Sequence, residues 1–328
     1  MATSTRVAAP PAKSAIQIFT KPAPSVAPGL AILISMPTKK ELLSQPIRHI
    51  DIKQHNVVEL LALALKQPSL GERMRVAGSG IALAHFNGDD FTSDYQPIFD
   101  VGVGGLTQSL TASPDSADRF GDEVGFEATL RLVDKDGSPK KLFAAVDDDS
   151  QLVALDRLAR ALHAINFFGS GRSSLLFLNV HERLLKSVKY DHGRHFSEVL
   201  LAFGLNPARI VIELPEAAVA HRTFVGYLIK SYQSYGFKVA GNLPNAGQIL
   251  SVSDMARLDF IKMDTANALR DSVVKPLVGY AHRLKIPLIF KNVDDDSQFT
   301  MLQQYDVRLV QGKLFTPRKA LVLTANPG

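Results

Sequence analysis

The chain has 328 residues, 46% hydrophobic and 21% charged, a balance that supports one large or two ordinary globular domains with a sizeable core. It contains no cysteine, which excludes disulfides, thiolate metal sites and cysteine nucleophiles together and fits a reducing compartment. The net charge of +5 admits an anionic partner, but no run of five or more Lys/Arg marks a nucleic-acid surface and no stretch approaches the roughly 18 apolar residues of a membrane span, so neither direct nucleic-acid binding nor a membrane role is expected.

Residues 1–29 are rich in Ala, Pro and Ser with scattered Lys. They bury too little apolar surface to offset ordering entropy and read as a disordered arm. The lack of acids through Lys40 resembles a transit peptide slightly, yet a flexible tail is the expectation. Residues 30–93 read as an N-terminal extension. Within it, Val57, Val58, Leu60, Leu61, Leu63 and Leu65 predict a short helix over Gln54–Lys66, ended by Pro68. Residues 67–93, punctuated by Gly71, Gly78, Gly80 and Gly88, read as loop.

The texture changes near Tyr95, so a single domain is assigned to residues 94–328. Short apolar runs predict strands at Tyr95–Val101, Val124–Val133, Ser174–Val180, Arg209–Leu214, Phe237–Ala240, Leu258–Met263, Pro287–Lys291 and Val307–Gln311. Amphipathic helices are predicted between most of them, at Gln151–Phe167, His195–Phe203, Arg222–Tyr235, Ala266–Leu284 and Asp296–Tyr305. Strands alternating with helices imply crossover units and a mainly parallel sheet. Eight such strands point to an α/β fold closed as a (β/α)8 barrel. An open doubly wound sheet is the alternative, and the lack of a Gly-rich loop after an early strand counts against it.

In a barrel, polar residues at the C-terminal ends of strands face the site. Here the strands carry Glu127 and Arg131, Asn179, Glu213, Lys262, Lys291 with Asn292, and Gln311, and Glu216 and Asp264 follow two of them. A single such residue reads equally well as a structural ion pair. Six strands each placing a polar group at one rim read better as a shared site. Asp147-Asp148-Asp149 and Asp294-Asp295-Asp296 precede helical segments, where acids satisfy free amides and the helix dipole rather than hold metal. His192 and His195 lack further zinc ligands and read as a surface loop.

These segments, in order, resemble the EAL family of bacterial cyclic di-GMP phosphodiesterases. Tyr95-Gln96-Pro97-Ile98 resembles the opening strand. Glu127-Ala128-Thr129-Leu130-Arg131 resembles the signature EALLR with Thr129 for its leucine. Leu178-Asn179-Val180, Glu213-Leu214-Pro215-Glu216, Ile261-Lys262-Met263-Asp264 and Gln311-Gly312 resemble the later motifs. The resemblance implies a modified (β/α)8 TIM-type barrel whose first strand runs antiparallel, and hydrolysis of cyclic di-GMP with Mg²⁺ or Mn²⁺. It makes Glu127, Asn179 and Glu213 metal-ligand positions and Lys262 the contact to the attacking water. It assigns nucleotide binding to Gln96, Glu127, Arg131, Asn179, Lys262 and Gln311, and a loop-steadying role to Glu216. It also implies a bacterial, cytoplasmic setting, and dimerisation through barrel-edge helices is common in the family.

The departures carry the functional expectation. Where the family has DDFGTG, this chain has Ala240-Gly241-Asn242-Leu243-Pro244, so either Gly241 and Asn242 or Asn242 and Leu243 replace the two metal-holding aspartates. Where the family has AEGVE, Lys291 replaces the first glutamate and Asp294 the second. Hard divalent cations need several anionic oxygens, so no functional metal site or catalytic residue is expected, and Mg²⁺ or Mn²⁺ would matter only to a residual activity. Lys291 is expected to pair with Glu127 or Glu213, or else to point to solvent. Three functions stay open: a catalytically inactive regulator that binds a protein partner, with cyclic di-GMP as its candidate input; a nucleotide receptor without a dedicated partner surface; and a residual metal-dependent phosphodiesterase.

Overall fold

The structure, a computed structural model, describes residues 55–102, 121–133, 143, 146–187, 192–249, 257–270 and 272–316. The proposed arm at 1–29 and the part of the extension before His55 lie outside the described residues. Helix α1 (Val57–Ala64) opens on a capping box. Asn56 Oδ1 accepts from the Glu59 amide at 2.9 Å, while Glu59 accepts from the Asn56 amide at 3.2 Å, so two free helix-start donors are satisfied reciprocally.

The stretch 67–93 is not loop. It holds strands β1 (Met74–Val76) and β2 (Ala82–Phe86) and the start of β3 (Asp89–Asp100), all antiparallel neighbours. Asn87 and Gly88 join β2 to β3 with φ of 50° and 85°, the paired positive φ that a two-residue hairpin turn needs. The glycine that sequence reading took as loop punctuation is therefore a hairpin corner. Two Asn166 bonds dock this hairpin on helix α2 (Asp149–Gly169): Oδ1 accepts from the Ala82 amide at 2.7 Å, and Nδ2 donates to the Ala82 carbonyl at 3.0 Å.

The barrel itself consists of β3, β4 (Asp122–Leu132), β5 (Leu175–Asn179), β6 (Ile210–Leu214), β7 (Lys238–Asn242), β8 (Phe260–Asp264), β9 (Leu288–Lys291) and β10 (Leu309–Val310). Neighbours pair in that order, and β3 closes the ring against both β4 and β10. Every pairing from β4 to β10 is parallel, whereas β3 is antiparallel to both its neighbours. The eight-stranded barrel with an antiparallel first strand is thus present.

Around it lie α2, α3 (Glu182–Ser187), α4 (Arg194–Ala202), α5 (Glu216–Val219), α6 (Arg222–Ser234), α7 (Thr265–Arg270), α8 (Val274–Leu284) and α9 (Asp296–Gln303). The single helix expected over Ala266–Leu284 is two. Pro276 has no amide hydrogen, and its ring would strike the carbonyl four residues earlier. Ser272 adopts a φ of 54° there and α8 begins afresh. Asp148 caps α2 and Asp295 caps α9, each accepting a backbone amide of the first turn, as expected for the two acidic triplets. His192, read as surface loop, is buried against Tyr227 and Tyr232.

Strand alternation sorts the core into two parts. Residues pointing outward, such as Phe126, Leu176, Ile212 and Ile261, join the core beneath the helices. Those pointing inward form a separate apolar plug of Ile98, Phe177, Val211, Ala240, Phe260, Ile289 and Leu309. This plug floors the candidate site.

Candidate functional site

Two residues above that plug on each strand, the inward side chain becomes polar. On β3, whose direction is reversed, the step runs back from Ile98 to Gln96. On the others it runs forward: Phe177 to Asn179, Val211 to Glu213, Ala240 to Asn242, Phe260 to Lys262, Ile289 to Lys291 and Leu309 to Gln311. Glu127 completes the level on β4, in register with Gln96, and Asn179 is in register with Glu213. The period of two along each strand, repeated around a closed barrel, therefore builds a ring of eight polar residues on an apolar floor.

Lys262 holds the ring together. Its side chain is 0% exposed, and Nζ donates to Glu127 Oε2 and to Glu213 Oε1, both at 2.7 Å. The ammonium also stands 5.7 Å from the centre of the Phe177 ring below it. Asn179 Nδ2 donates to Glu127 Oε1 at 2.6 Å, and Gln311 Nε2 donates to Glu127 Oε2 at 2.8 Å and Gln96 Oε1 at 2.9 Å. Glu127 thus accepts three side-chain donors.

One ammonium faces two carboxylates, and their titrations separate accordingly. Burial alone would raise the Glu127 pKa. The Lys262 charge, with hydrogen bonds from Lys262, Gln311 and Asn179, overcomes it and holds the group at about 2. Glu213 goes the other way. Burial, then repulsion from Glu127, outweighs Lys262 and lifts it to about 7. Lys262 is raised, because both carboxylates outweigh its desolvation.

Asn242 is the ring member on β7, and its Nδ2 donates to the Leu214 carbonyl at 3.1 Å. Gly241 faces outward, where an added Cβ would meet Leu258 Cδ1 at 2.7 Å. Leu243 is buried, with its amide bonded to the Lys262 carbonyl at 2.9 Å. Lys291 does not pair with Glu127 or Glu213 as expected, because Lys262 already bridges them. Its Nζ donates to Asn242 Oδ1 at 2.8 Å and lies 3.5 Å from Glu216 Oε1 on α5. Asp294 stands apart, 3.1 Å from Lys313 Nζ. Asp264 continues the inward face of β8 and accepts from Asn292 Nδ2 at 2.7 Å.

Arg131 sits above the ring at the mouth, on the same face of β4 as Glu127. Its Nε is 3.0 Å from Asp94 Oδ1, and both side chains are half-exposed. Asp94 escaped the sequence reading because its strand was started at Tyr95. Counting back by two from Gln96 along the strand would have found it.

The donor set does not fit a pair of hard divalent cations. Such ions need several anionic oxygens in open geometry. Here the ring offers two carboxylates with an ammonium between them, and Asn242 and Lys291 occupy two further positions. No group of three or more His, Cys, Asp or Glu side chains suited to a metal ion occurs among the described residues. The arrangement offers instead cations and amides above an apolar floor, a chemistry suited to anionic oxygens and to hydrogen-bonding rings. No helix among the described residues is long and apolar enough to cross a membrane.

The EAL domain family matches residues 116–318, more than half of the chain. Solved structures agree in fold. A standalone EAL protein from Vibrio cholerae O395, in its c-di-GMP bound form, is 19% identical with a TM-score of 0.54, covering 70% of this chain and 91% of that one. The manganese/cyclic-diGMP complex of Klebsiella pneumoniae BlrP1 is 22% identical with a TM-score of 0.55, covering 77% and 62%. The FimX EAL domain from Pseudomonas aeruginosa bound to c-di-GMP is 17% identical with a TM-score of 0.51, covering 79% and 94%. Comparison with curated proteins gives no match.

Proposed function

Because the chain belongs to the EAL domain family, we propose that it is a member without phosphodiesterase activity that works in cyclic di-GMP signalling as a regulator, reading the dinucleotide through fixed side-chain cations and acting on a protein partner. The observation that carries this reading is the Glu127–Lys262–Glu213 bridge, closed at 2.7 Å on both sides. The two carboxylates that remain in the ring are already engaged by a single buried ammonium. Asn242 and Lys291, one neutral and one cationic, hold positions that would have to supply anionic oxygens to a metal. Metal activation of a phosphoryl centre contributes several kcal/mol of barrier lowering, and each 1.4 kcal/mol or so is about tenfold in rate.

The same features support binding. The three neighbours described above carry cyclic di-GMP in their structures. In this chain Arg131 presents a guanidinium that can hold a phosphate in bidentate fashion, and Lys291 adds a point charge. Gln96, Asn179 and Gln311 supply amides at the same level. The exposed large hydrophobics, Val58, Leu65, Leu201, Tyr227, Met301 and Tyr305, are spread over several elements, so they single out no partner face.

Hydrolysis assays with Mn²⁺ and calorimetric titration with cyclic di-GMP, with and without Mg²⁺, test the reading together. No turnover and metal-independent binding are expected. Turnover at enzyme-like rates with Mn²⁺ would replace this reading with a metal-dependent phosphodiesterase. Absence of binding in both conditions would leave a protein–protein adaptor with no nucleotide input.

A further inference from the structure

We infer that Asp94 is a built-in competitor for Arg131 that sets how tightly the site holds a phosphate-bearing ligand. The inference rests on the reading above, that the barrel mouth takes a cyclic dinucleotide. Its starting point is a charge balance at the mouth. Arg131 is the one arginine that β4 projects on the inward face beside the ring. Its guanidinium is not offered free, because Asp94 of the neighbouring strand holds its Nε at 3.0 Å.

The pairing follows from register. Asp94 lies opposite Thr129, and Thr92 opposite Arg131, so Asp94 and Arg131 are diagonal partners on one face of an antiparallel pair, within reach of long side chains. Their exposures of 53% and 45% place the pair in solvent rather than in the core. An ion pair so exposed contributes little to folding, about 0.2–1 kcal/mol. It is therefore weak enough to be exchanged for a better anion. A phosphate arriving at Arg131 must either displace the Asp94 carboxylate or share the guanidinium with it. In both cases it meets a fixed negative charge one side chain away. The neighbouring cation Lys262 does not compensate, since it is buried and bound to Glu127 and Glu213.

Asp94 thus lowers affinity without touching the fold. It also tightens selection, since only a ligand that repays the displacement through further contacts on the ring is retained. A lone inorganic phosphate makes few such contacts, whereas a dinucleotide reaches across the mouth.

Calorimetric titration of cyclic di-GMP into the wild-type chain, Asp94→Asn, Arg131→Ala and the double variant tests this, with melting curves confirming that all four fold. Asn keeps the size of the side chain and removes its charge. Asp94→Asn is expected to bind about 3- to 10-fold more tightly, the range of an exposed pair plus relief of like-charge repulsion. The gain should vanish when Arg131 is absent. Unchanged or weakened binding by Asp94→Asn, with the wild type still binding, would overturn the competitor role while leaving the nucleotide reading intact. An equal gain in the Arg131→Ala background would also overturn it, by assigning the effect to general repulsion. If none of the four folded proteins binds, the nucleotide reading falls, and this inference with it.

Discussion

Lys262 is the residue on which the site turns. An ammonium with no solvent exposure is tolerated only because two carboxylates meet it directly. Removing it alone leaves two buried carboxylates facing one another, so Lys262→Met is expected to destabilise the chain by about 3–5 kcal/mol in urea melts. Replacing the whole set, with Glu127→Gln and Glu213→Leu added to Lys262→Met, removes the uncompensated charge as well and should recover most of that loss. A single variant as stable as the wild type would show that the bridge does not exist in solution. The residue identities of this site were legible early: Gln96, Glu127, Asn179, Glu213, Lys262 and Gln311 all came from strand-end position and motif order, and all six stand in the ring. What sequence could not supply was partnership. Charge alone matches Lys291 with the carboxylates, but Lys262 bridges both of them and Lys291 donates to Asn242 instead.

At the scale of elements, the strands from β5 onward were legible because each is a short run buried on both faces, and parallel barrel strands read that way. Short half-covered strands are harder. β1 and β2 gave no long run, and glycine was taken as a sign of loop when Asn87-Gly88 was a hairpin corner. The docking of that hairpin gives it a specific weak point. Asn166 serves both backbone groups of Ala82, a residue with no solvent exposure. Asn166→Leu leaves a buried amide and carbonyl unsatisfied, at about 1–3 kcal/mol each. Hydrogen exchange at the Ala82 amide should accelerate by more than tenfold in this variant, while amides of β5 to β9 keep their protection relative to global stability. Unchanged exchange at Ala82 would mean that β2 is held by its strand pairings with β1 and β3 rather than by Asn166.

For the whole molecule, the buried ionisable groups combine into a stability profile with a definite shape. Glu213 is raised from 4.5 to about 7, so the native state holds a proton that the unfolded chain gives up. Its contribution is complete below pH 4.5 and is lost as pH rises through about 7. His163 is pushed down from 6.5 to about 3, first by burial and then by the Arg160 charge, and stays neutral where the unfolded chain protonates. It therefore removes stability as pH falls below 6.5, and His181, His192 and His195, also lowered by burial, act in the same direction. Glu127, held at about 2, gives stability that is present above 4.5 and lost as pH falls through about 2. Between pH 4.5 and 6.5 Glu213 and the histidines oppose each other; Asp156, also raised by burial, completes its gain by pH 3.8, and below that the losses from His163 and Glu127 act alone, so the chain should be acid-labile there. The Glu213 contribution is isolated by comparison with Glu213→Gln across this range. The stability difference, wild type minus variant, is expected to fall steadily as pH rises from 4.5 to above 7, because the native state keeps a Glu213 proton that the unfolded chain has lost. A difference that stays level across that window would mean that Glu213 is ionised throughout, with the Lys262 bridge outweighing its burial and the repulsion from Glu127.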